Sequence, residues 1–294
     1  STTVENTLEA LAVTAKHVGV FSGGAQILGS HLEGPFLNPE KAGIHKPEFL
    51  RTPSLDDLYR FWLASNKSLR VITIAPELDG ALEVIQEANK LGIAVSLGHT
   101  NASMEQCRIA AENGLSFATH LFNAMEGPPA REVAELHRWW GVPYSVIRNP
   151  KIKASIIVDG IHVHSELVRT FLSQKGVRDT VLVSDAMPPL GSEHSGFYLY
   201  SEWIEVKNGA CYSIDGHLAG SILYMNQAVK NVLNIAQIPL EQALRMATEN
   251  PSEVIGEASR RGTLEPGKVA DVVVCTDNLI PTATIVSGQV IYQP

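Results

Sequence analysis

Four polar side chains in this sequence have the types and the placement needed for metal-assisted hydrolysis. Glu33 lies in 31-HLEGPFLNPEKAGIH-45, between an apolar run and a Gly-Pro turn, where a buried carboxylate without a positive partner is costly. His99, His120 and Asp185 each follow a short apolar run. One carboxylate and two imidazoles are a ligand set typical of a divalent transition metal. Asp185 is then left with no ligand role.

The chemistry that this set predicts is hydrolysis of an amide or a related C–N bond. A divalent metal lowers the pKa of a water molecule that it binds and polarises a carbonyl group. Asp185 can take the proton of that water and later deliver it to the leaving nitrogen. We expect zinc, with iron, cobalt or manganese as alternatives. Because the metal supplies positive charge, Glu33 needs no cation from the protein.

Taken singly, each of these residues also has a structural interpretation. His99 could be a strand-end histidine ahead of a helix cap, and His120 could be a core histidine that donates to a backbone carbonyl. Asp185 could cap a helix, although Pro188 and Pro189 disfavour one directly after it. Glu33 could pair with Lys41. Only the joint pattern favours a metal site.

The elements that must position these side chains are short strands that alternate with helices. Helices are predicted over 79–92, opened by an Asp cap, and over 101–114, opened by Asn or Ser. Each predicted strand ends in a polar cluster, and in a (β/α)8 barrel such ends converge on the active site. The six strand candidates are 26–34, 70–77, 93–100, 117–125, 153–162 and 180–187.

The remaining segments complete a predicted architecture. The chain opens with a helix-like segment at 3–17, and a hairpin with an Asn-Gly turn is predicted at 196–216. Helices are expected near 222–236 and 239–249. We therefore predict an α/β fold, a (β/α)8 TIM-like barrel that lacks its first strands, over residues 1–261. Residues 262–294 should form a small C-terminal β segment.

Composition excludes several classes of function. A net charge of −8 argues against a general nucleic-acid or anionic-membrane surface, because such binding depends on cationic side chains. The three cysteines have no CxxC spacing, so neither a disulfide framework nor a thiolate zinc site is indicated. We expect a cytoplasmic protein without a bilayer-spanning segment.

Several longer motifs point to one family. HLEGPFLNPEKAGIH, SLGHTNAS, ATHLFNAM, DGIHVH, LVSDAM and HLAGS occur in this order. Together they resemble the N-acetylglucosamine-6-phosphate deacetylases of the amidohydrolase superfamily, from about residue 26 onward. LEPGKVADVVV likewise resembles the closing strand of that superfamily's small β domain. The resemblance implies a metal-dependent enzyme that removes acetate from an amino-sugar phosphate.

The resemblance also implies residue roles. Glu33, His99 and His120 match the family's metal ligands, and Asp185 matches its catalytic acid and base. His45 matches a contact at the acetamido end of the substrate, and His162 matches another substrate contact. Further substrate residues by this match are Asn123 and Ala124 on the phosphate or sugar side, and Leu218, Ala219 and Gly220 in a loop that closes over the sugar.

Arg131 matches a family arginine that reaches the phosphate in a neighbouring subunit, which implies a homodimer. The family usually has Arg-Glu-Pro-Gly here, whereas this chain has Arg131-Glu132-Val133-Ala134. The family's early His-x-His pair has no counterpart before residue 26. The later 162-HVH-164 is assigned to substrate by the resemblance.

Two other functions remain open on the sequence. The same hydrolytic barrel could act on a different N-acyl compound or a cyclic amide. Alternatively, a barrel without its first strands could survive as an inactive binding or oligomeric remnant, because open sheet edges favour pairing with other chains.

Overall fold

A computed structural model of the chain describes residues 1–20, 23–125, 141–199 and 202–294. Its central element is a parallel sheet of six strands in which every strand pairs with its neighbour in the sequence. This order has no reversal point, so it is the order of a (β/α) barrel and not of a doubly wound sheet. The strands are β1 (Ser30–Glu33), β2 (Leu69–Ile74), β3 (Ala94–Leu97), β4 (Leu115–Ala118), β5 (Lys153–Ile157) and β6 (Thr180–Val183).

Helices make the connections between these parallel strands, as the alternating sequence pattern predicts. The helix α1 (Val4–His17) precedes the sheet, which confirms the predicted opening helix. The connecting helices are α2 (Leu55–Ala64), α3 (Ala81–Lys90), α4 (Met104–Glu112), α5 (Gly141–Arg148) and α6 (Ser165–Lys175). Three further helices come after β6, the last strand of the parallel sheet: α7 (Met225–Ala236), α8 (Leu240–Ala247) and α9 (Glu249–Val254).

The two faces of the sheet carry different side chains. Residues such as Ile72, Val95 and Leu182 belong to the main buried core that the helices cover. The alternate residues Val71, Phe117 and Val181 form a second, smaller core with Val254 and Ile255. Because successive strand residues point to opposite faces, this second core lies on the face opposite the main core, where the end of α9 packs against it.

A layer of hydroxyl groups lies next to this second core, on its side towards the carboxyl ends of the strands. Thr73 Oγ1 is 2.8 Å from Thr119 Oγ1, which is 2.6 Å from Ser96 Oγ. His31 Nε2 is 2.7 Å from the same Thr73 hydroxyl. On β5, Ser155 Oγ donates to Ala118 O at 3.1 Å and accepts from the backbone N–H of His120 at 2.8 Å. The layer therefore joins the strands directly beneath their carboxyl ends.

Two antiparallel sheets accompany the parallel sheet in the described part of the chain. The first has the order β10-β9-β8-β7 and contains the predicted hairpin with its Asn208-Gly209 turn. The second has the order β11-β12-β13 and lies within 262–294, where a small sheet was expected. The strands are β7 (Gly196–Leu199), β8 (Glu202–Lys207), β9 (Ala210–Ser213), β10 (Leu218–Ser221), β11 (Val272–Cys275), β12 (Pro281–Val286) and β13 (Gln289–Tyr292).

Two local predictions were wrong. Asp79 was expected to cap α3, but the N-cap residue of this helix is Gly80. Gly80 has a φ of 79°, and the helix has no side-chain hydrogen bond at its N-cap. A Cβ at position 80 would lie 2.6 Å from the Pro53 carbonyl oxygen, so the turn requires glycine. Residues 218–220, expected to form a loop, belong to β10. Among the described residues, none of the helices has the length and apolar content to cross a bilayer.

Candidate active site

A cavity of about 790 Å³ opens at the carboxyl ends of the parallel strands. Glu33 is the last residue of β1, whereas His99, His120 and Asp185 each lie two residues beyond the last residue of β3, β4 and β6. All four line the cavity. Residues from separate parts of the sequence are therefore gathered where a (β/α) barrel places its chemistry.

Glu33, His99 and His120 form a compact group of candidate metal ligands. One ligand atom from each lies within 4.8 Å of the others. His120 Nε2 is 2.7 Å from Glu33 Oε1, and His99 Nε2 is 3.1 Å from the same oxygen. Both imidazole side chains are 7% exposed. Two buried rings thus converge on one carboxylate oxygen.

The hydrogen bonds of His99 favour a cation in this group. His99 Nδ1 is 2.8 Å from the Lys41 carbonyl oxygen, which can only accept a hydrogen bond, so Nδ1 carries a proton. In the neutral ring, Nε2 then presents its lone pair towards Glu33 Oε1. Two electron-rich atoms at this distance repel unless a proton or a metal ion lies between them. A backbone carbonyl that fixes the outer nitrogen is also the usual support of a metal-binding histidine.

The pKa shifts of Glu33 and His120 also favour positive charge in this group. Burial acts to raise the pKa of Glu33, but His120 and the hydrogen bonds from the surrounding histidines outweigh it and hold that pKa well below its usual range. Burial acts to lower the pKa of His120, yet the carboxylates of Glu33 and Asp185 raise it to about 9. The carboxylate therefore requires positive charge beside it, from a proton on His120 or from a divalent cation.

Asp185 is held beside this group by the antiparallel sheet. The backbone N–H of Ser221 on β10 donates to Asp185 O at 2.9 Å, and Met187 N–H donates to Ser221 O at 2.9 Å. Gly220 has a φ of 126°, and a Cβ there would lie 2.7 Å from Met187 Cγ, so only glycine permits this approach. Burial raises the pKa of the Asp185 carboxyl, although His120 opposes the effect.

Three of the four side chains project from strained backbone. His99, His120 and Asp185 have φ values of 48°, 32° and 50°, which lie in the left-handed region that non-glycine residues seldom adopt. Such residues cost of order 1–3 kcal/mol each and persist where the surrounding structure over-determines them. Their concentration at one cavity is characteristic of a functional site.

The predicted substrate residues lie around the same cavity where the structure describes them. Asn123 also has a bracing role, since its Nδ2 donates to His120 O at 3.1 Å. His45 Nε2 lies 3.8 Å from Glu33 Oε2, and burial lowers the pKa of His45. Arg131 lies outside the described residues. The residues brought together are His45, Asn123, Ala124, His162, Leu218, Ala219 and Gly220.

Sequence reasoning did not assign several other residues of the cavity wall. Phe122 and Met187 belong to the LFNAM and LVSDAM motifs, and His217 directly precedes the assigned Leu218. Their position within or beside motifs already assigned to the site could have identified them as cavity residues. Asp159 was also missed: its side chain is 4% exposed, and its Oδ2 is 2.6 Å from His162 Nδ1.

Comparison with known proteins finds relatives that match most of this chain. N-acetylglucosamine-6-phosphate deacetylase from Haemophilus influenzae is 35% identical over 90% of this chain and 67% of its own length. N-acetylgalactosamine-6-phosphate deacetylase from Escherichia coli O157:H7 is 32% identical over 90% of this chain and 68% of its own length. The chain therefore spans about two thirds of the length of these relatives.

A solved structure shares the fold. It is a mutant of the Mycobacterium smegmatis N-acetyl-D-glucosamine-6-phosphate deacetylase in complex with N-acetyl-D-glucosamine-6-phosphate. It is 29% identical to this chain, and the match covers 99% of this chain and 74% of that structure's chain with a TM-score of 0.90. The sequence matches the Amidohydrolase family over residues 24–291. The chain belongs to the amidohydrolase family.

Proposed function

We propose that the chain hydrolyses the acetamide of N-acetylglucosamine 6-phosphate to glucosamine 6-phosphate and acetate. The observation that carries the proposal is the convergence of Glu33, His99 and His120 in one cavity that Asp185 also lines. Relatives that share at least 30% identity with the chain bear the name of this activity.

In this mechanism Glu33, His99 and His120 would hold a divalent metal ion, with zinc as the first candidate and iron, cobalt or manganese as alternatives. When bound, the metal supplies Lewis acidity, which polarises a carbonyl and lowers the pKa of a water molecule. Asp185 accepts the proton of the attacking water and delivers it to the amino-sugar nitrogen as the C–N bond breaks. Asp185 lines the cavity that would admit the acetamide.

The other cavity residues bind and orient the sugar. His45, next to Glu33, is assigned to the acetamido end, and His162 to a further substrate contact. Asn123 and Ala124 are assigned to the phosphate or sugar side, and Leu218, Ala219 and Gly220 to backbone contacts along β10. Arg131 is assigned to the phosphate in the neighbouring subunit of a homodimer.

The proposal includes the architecture that carries the site. The parallel sheet corresponds to six strands of a (β/α)8 TIM-like barrel, without the barrel's first strands, over residues 1–261. Residues 262–294, with β11 to β13, correspond to a small β domain. The cysteines Cys107, Cys211 and Cys275 are free thiols, which supports a reducing, cytoplasmic setting.

A second candidate substrate is the epimeric N-acetylgalactosamine 6-phosphate. The relative that carries that name is as similar to this chain as several that carry the glucosamine name. The two sugars differ only in the orientation of one hydroxyl group, so the acetamide chemistry would be the same. Which of the two sugars the chain prefers depends on the protein groups that contact this hydroxyl.

The test measures acetate release from both sugar phosphates and from unphosphorylated N-acetylglucosamine, alongside the ratio of metal to protein. We expect about one divalent metal per chain and the highest kcat/KM on N-acetylglucosamine 6-phosphate. A higher kcat/KM on the galacto sugar would establish the second candidate. Equal rates with and without the phosphate would favour another N-acyl substrate, and absence of both metal and turnover would refute the proposal.

A further inference from the structure

We infer that Glu77, at the carboxyl end of β2, is a positioning residue for the proposed metal ligand His99. The inference rests on the proposed function, because it concerns the metal site of that function. Glu77 follows the strand-end residues Ala75 and Pro76 and is partly buried. Its carboxylate accepts hydrogen bonds from Asn38, Thr100 and Asn101, so it acts through the loops on either side.

The first set of contacts holds the loop that follows β3. The Glu77 carboxylate accepts hydrogen bonds from the Thr100 hydroxyl and, at 2.7 Å, from the backbone N–H of Asn101. These two residues directly follow His99. The Thr100 N–H also donates to Ala124 O at 3.2 Å, which ties the same loop to the one after β4. Glu77 thus fixes the backbone just beyond the left-handed residue His99.

The second set holds the loop that follows β1. Asn38 Nδ2 donates to Glu77 Oε1 at 2.8 Å, and the Asn38 backbone N–H donates to His99 O at 3.0 Å. Asn38 Oδ1 accepts from Glu40 N–H at 2.9 Å and so caps the 3-10 helix Pro39–Lys41. That helix ends with Lys41, whose carbonyl oxygen accepts from His99 Nδ1.

The two sets meet at one imidazole ring. One holds the backbone of His99, and the other places the carbonyl that fixes its outer nitrogen. Three donors converge on the Glu77 carboxylate, and a carboxylate is acceptor-only, so an amide in its place would turn a donor towards one of them. The orientation of the His99 lone pair therefore depends on the charge and shape of Glu77.

The test is the zinc affinity of Glu77→Gln, measured by competition with a chelator. Groups that orient metal ligands typically contribute 10–100-fold to affinity, and we expect a loss of at least about tenfold. The visible absorption spectrum of the cobalt-loaded variant should also change, because ligand geometry changes. Asn38→Ala removes one branch of the network and should weaken zinc binding in the same direction.

The matched control is Glu257→Gln. Glu257 is 6% exposed, but it pairs with Arg70 and Arg261 at the opposite end of the sheet. It should lower the melting temperature without changing zinc affinity. The inference is overturned if Glu77→Gln and Asn38→Ala both bind zinc within about twofold of the parent chain, or if Glu257→Gln loses as much affinity. A parent chain that binds no zinc would instead overturn the proposed metal centre, and this inference with it.

Discussion

Asp159 accepts three hydrogen bonds from the segment that carries His162, one of them from the ring nitrogen Nδ1 of His162 at 2.6 Å. Both side chains are 4% exposed. Burial acts to raise the pKa of Asp159, but the bonds from His162 and from backbone N–H groups hold that pKa below its usual value. The carboxylate therefore fixes both the ring and the tautomer of a histidine that lines the cavity.

Asp159→Asn should lower kcat/KM by about 10–100-fold, because a hydrogen bond to a charged group is worth about 1.5–3 kcal/mol. The amide can donate towards Nδ1 and so favour the opposite tautomer of His162. Steady-state kinetics on the phosphorylated sugar checks this. Asp277→Asn, which changes an exposed carboxylate, is the control and should leave kcat/KM unchanged. Equal kinetics in both variants would contradict the assigned role.

Glu33→Gln should reduce the metal content from about one ion per chain to a small fraction of that, because it removes the charged ligand on which both imidazoles converge. Elemental analysis of the purified variant measures it. Glu40→Gln is the control, since Glu40 also lines the cavity but accepts its bond from Asn101. A Glu33→Gln protein with full metal content would show that the metal lies elsewhere.

Asp185→Asn should retain the metal and lose about 10²–10⁴-fold in kcat, the usual contribution of a general acid and base. Because Asp185 acts as a base when it is deprotonated, kcat/KM should fall at acidic pH in the parent chain, and this acidic limb should be lost in the variant. Elemental analysis, kinetics and a pH profile test this together. Full turnover in the variant would remove Asp185 from the mechanism.

Arg131→Ala should raise KM for the phosphorylated sugar about tenfold or more, since hydrogen bonds to charged groups contribute most of the recognition of a phosphate. The same variant should act on unphosphorylated N-acetylglucosamine as the parent chain does. Arg108→Ala is the control, because Arg108 lies on α4 and pairs with Glu105 and Glu112. Parallel losses on both sugars would indicate a structural role for Arg131.

Because the pKa of Lys175 is lowered, we predict that the free energy of unfolding depends on pH. Lys175 is buried, its Nζ donates to Val146 O at 2.9 Å and to Asn149 O at 2.7 Å, and burial lowers its pKa to about 8. Between about pH 8 and the ordinary lysine pKa near 10.4, the folded chain loses this proton while the unfolded chain keeps it. The unfolded state then binds more protons, so the free energy of unfolding rises with pH.

Lys175→Met isolates this effect from other titrating groups. Over this pH interval the parent chain should gain stability relative to the variant, as measured by urea unfolding at a series of pH values. Lys230→Met is the control, because Lys230 is an exposed lysine on α7. A difference between parent chain and Lys175→Met that stays constant with pH would contradict the prediction.

The six parallel strands and the convergence of their ends could be predicted from the sequence because both depend on local patterns. Short apolar runs form the strands, and the polar residue after each run marks the end that faces the cavity. Leu218 to Gly220 could not be assigned to a strand in this way. Their pairing with β9 and their approach to Asp185 are contacts between distant segments.

The hydrogen bonds that Glu77 and Asp159 make around the site could not be predicted from the sequence either. Glu77 and Asp159 are ordinary acidic residues in the chain, and their importance arises from the donors that surround them after folding. The N-terminus of α3 is a similar case, because Pro53 O, which excludes a side chain at Gly80, is 27 positions away in the numbering. Periodicity and capping rules do not contain such contacts.

The left-handed backbone at His99, His120 and Asp185 has an evolutionary and practical consequence. The unfavourable torsions are already present in the folded chain without substrate, so docking of a sugar need not create them. Random substitutions that relax these torsions would raise thermal resistance while degrading turnover. Efforts to make the protein more heat-stable should therefore leave these three positions, and the residues that clamp them, untouched.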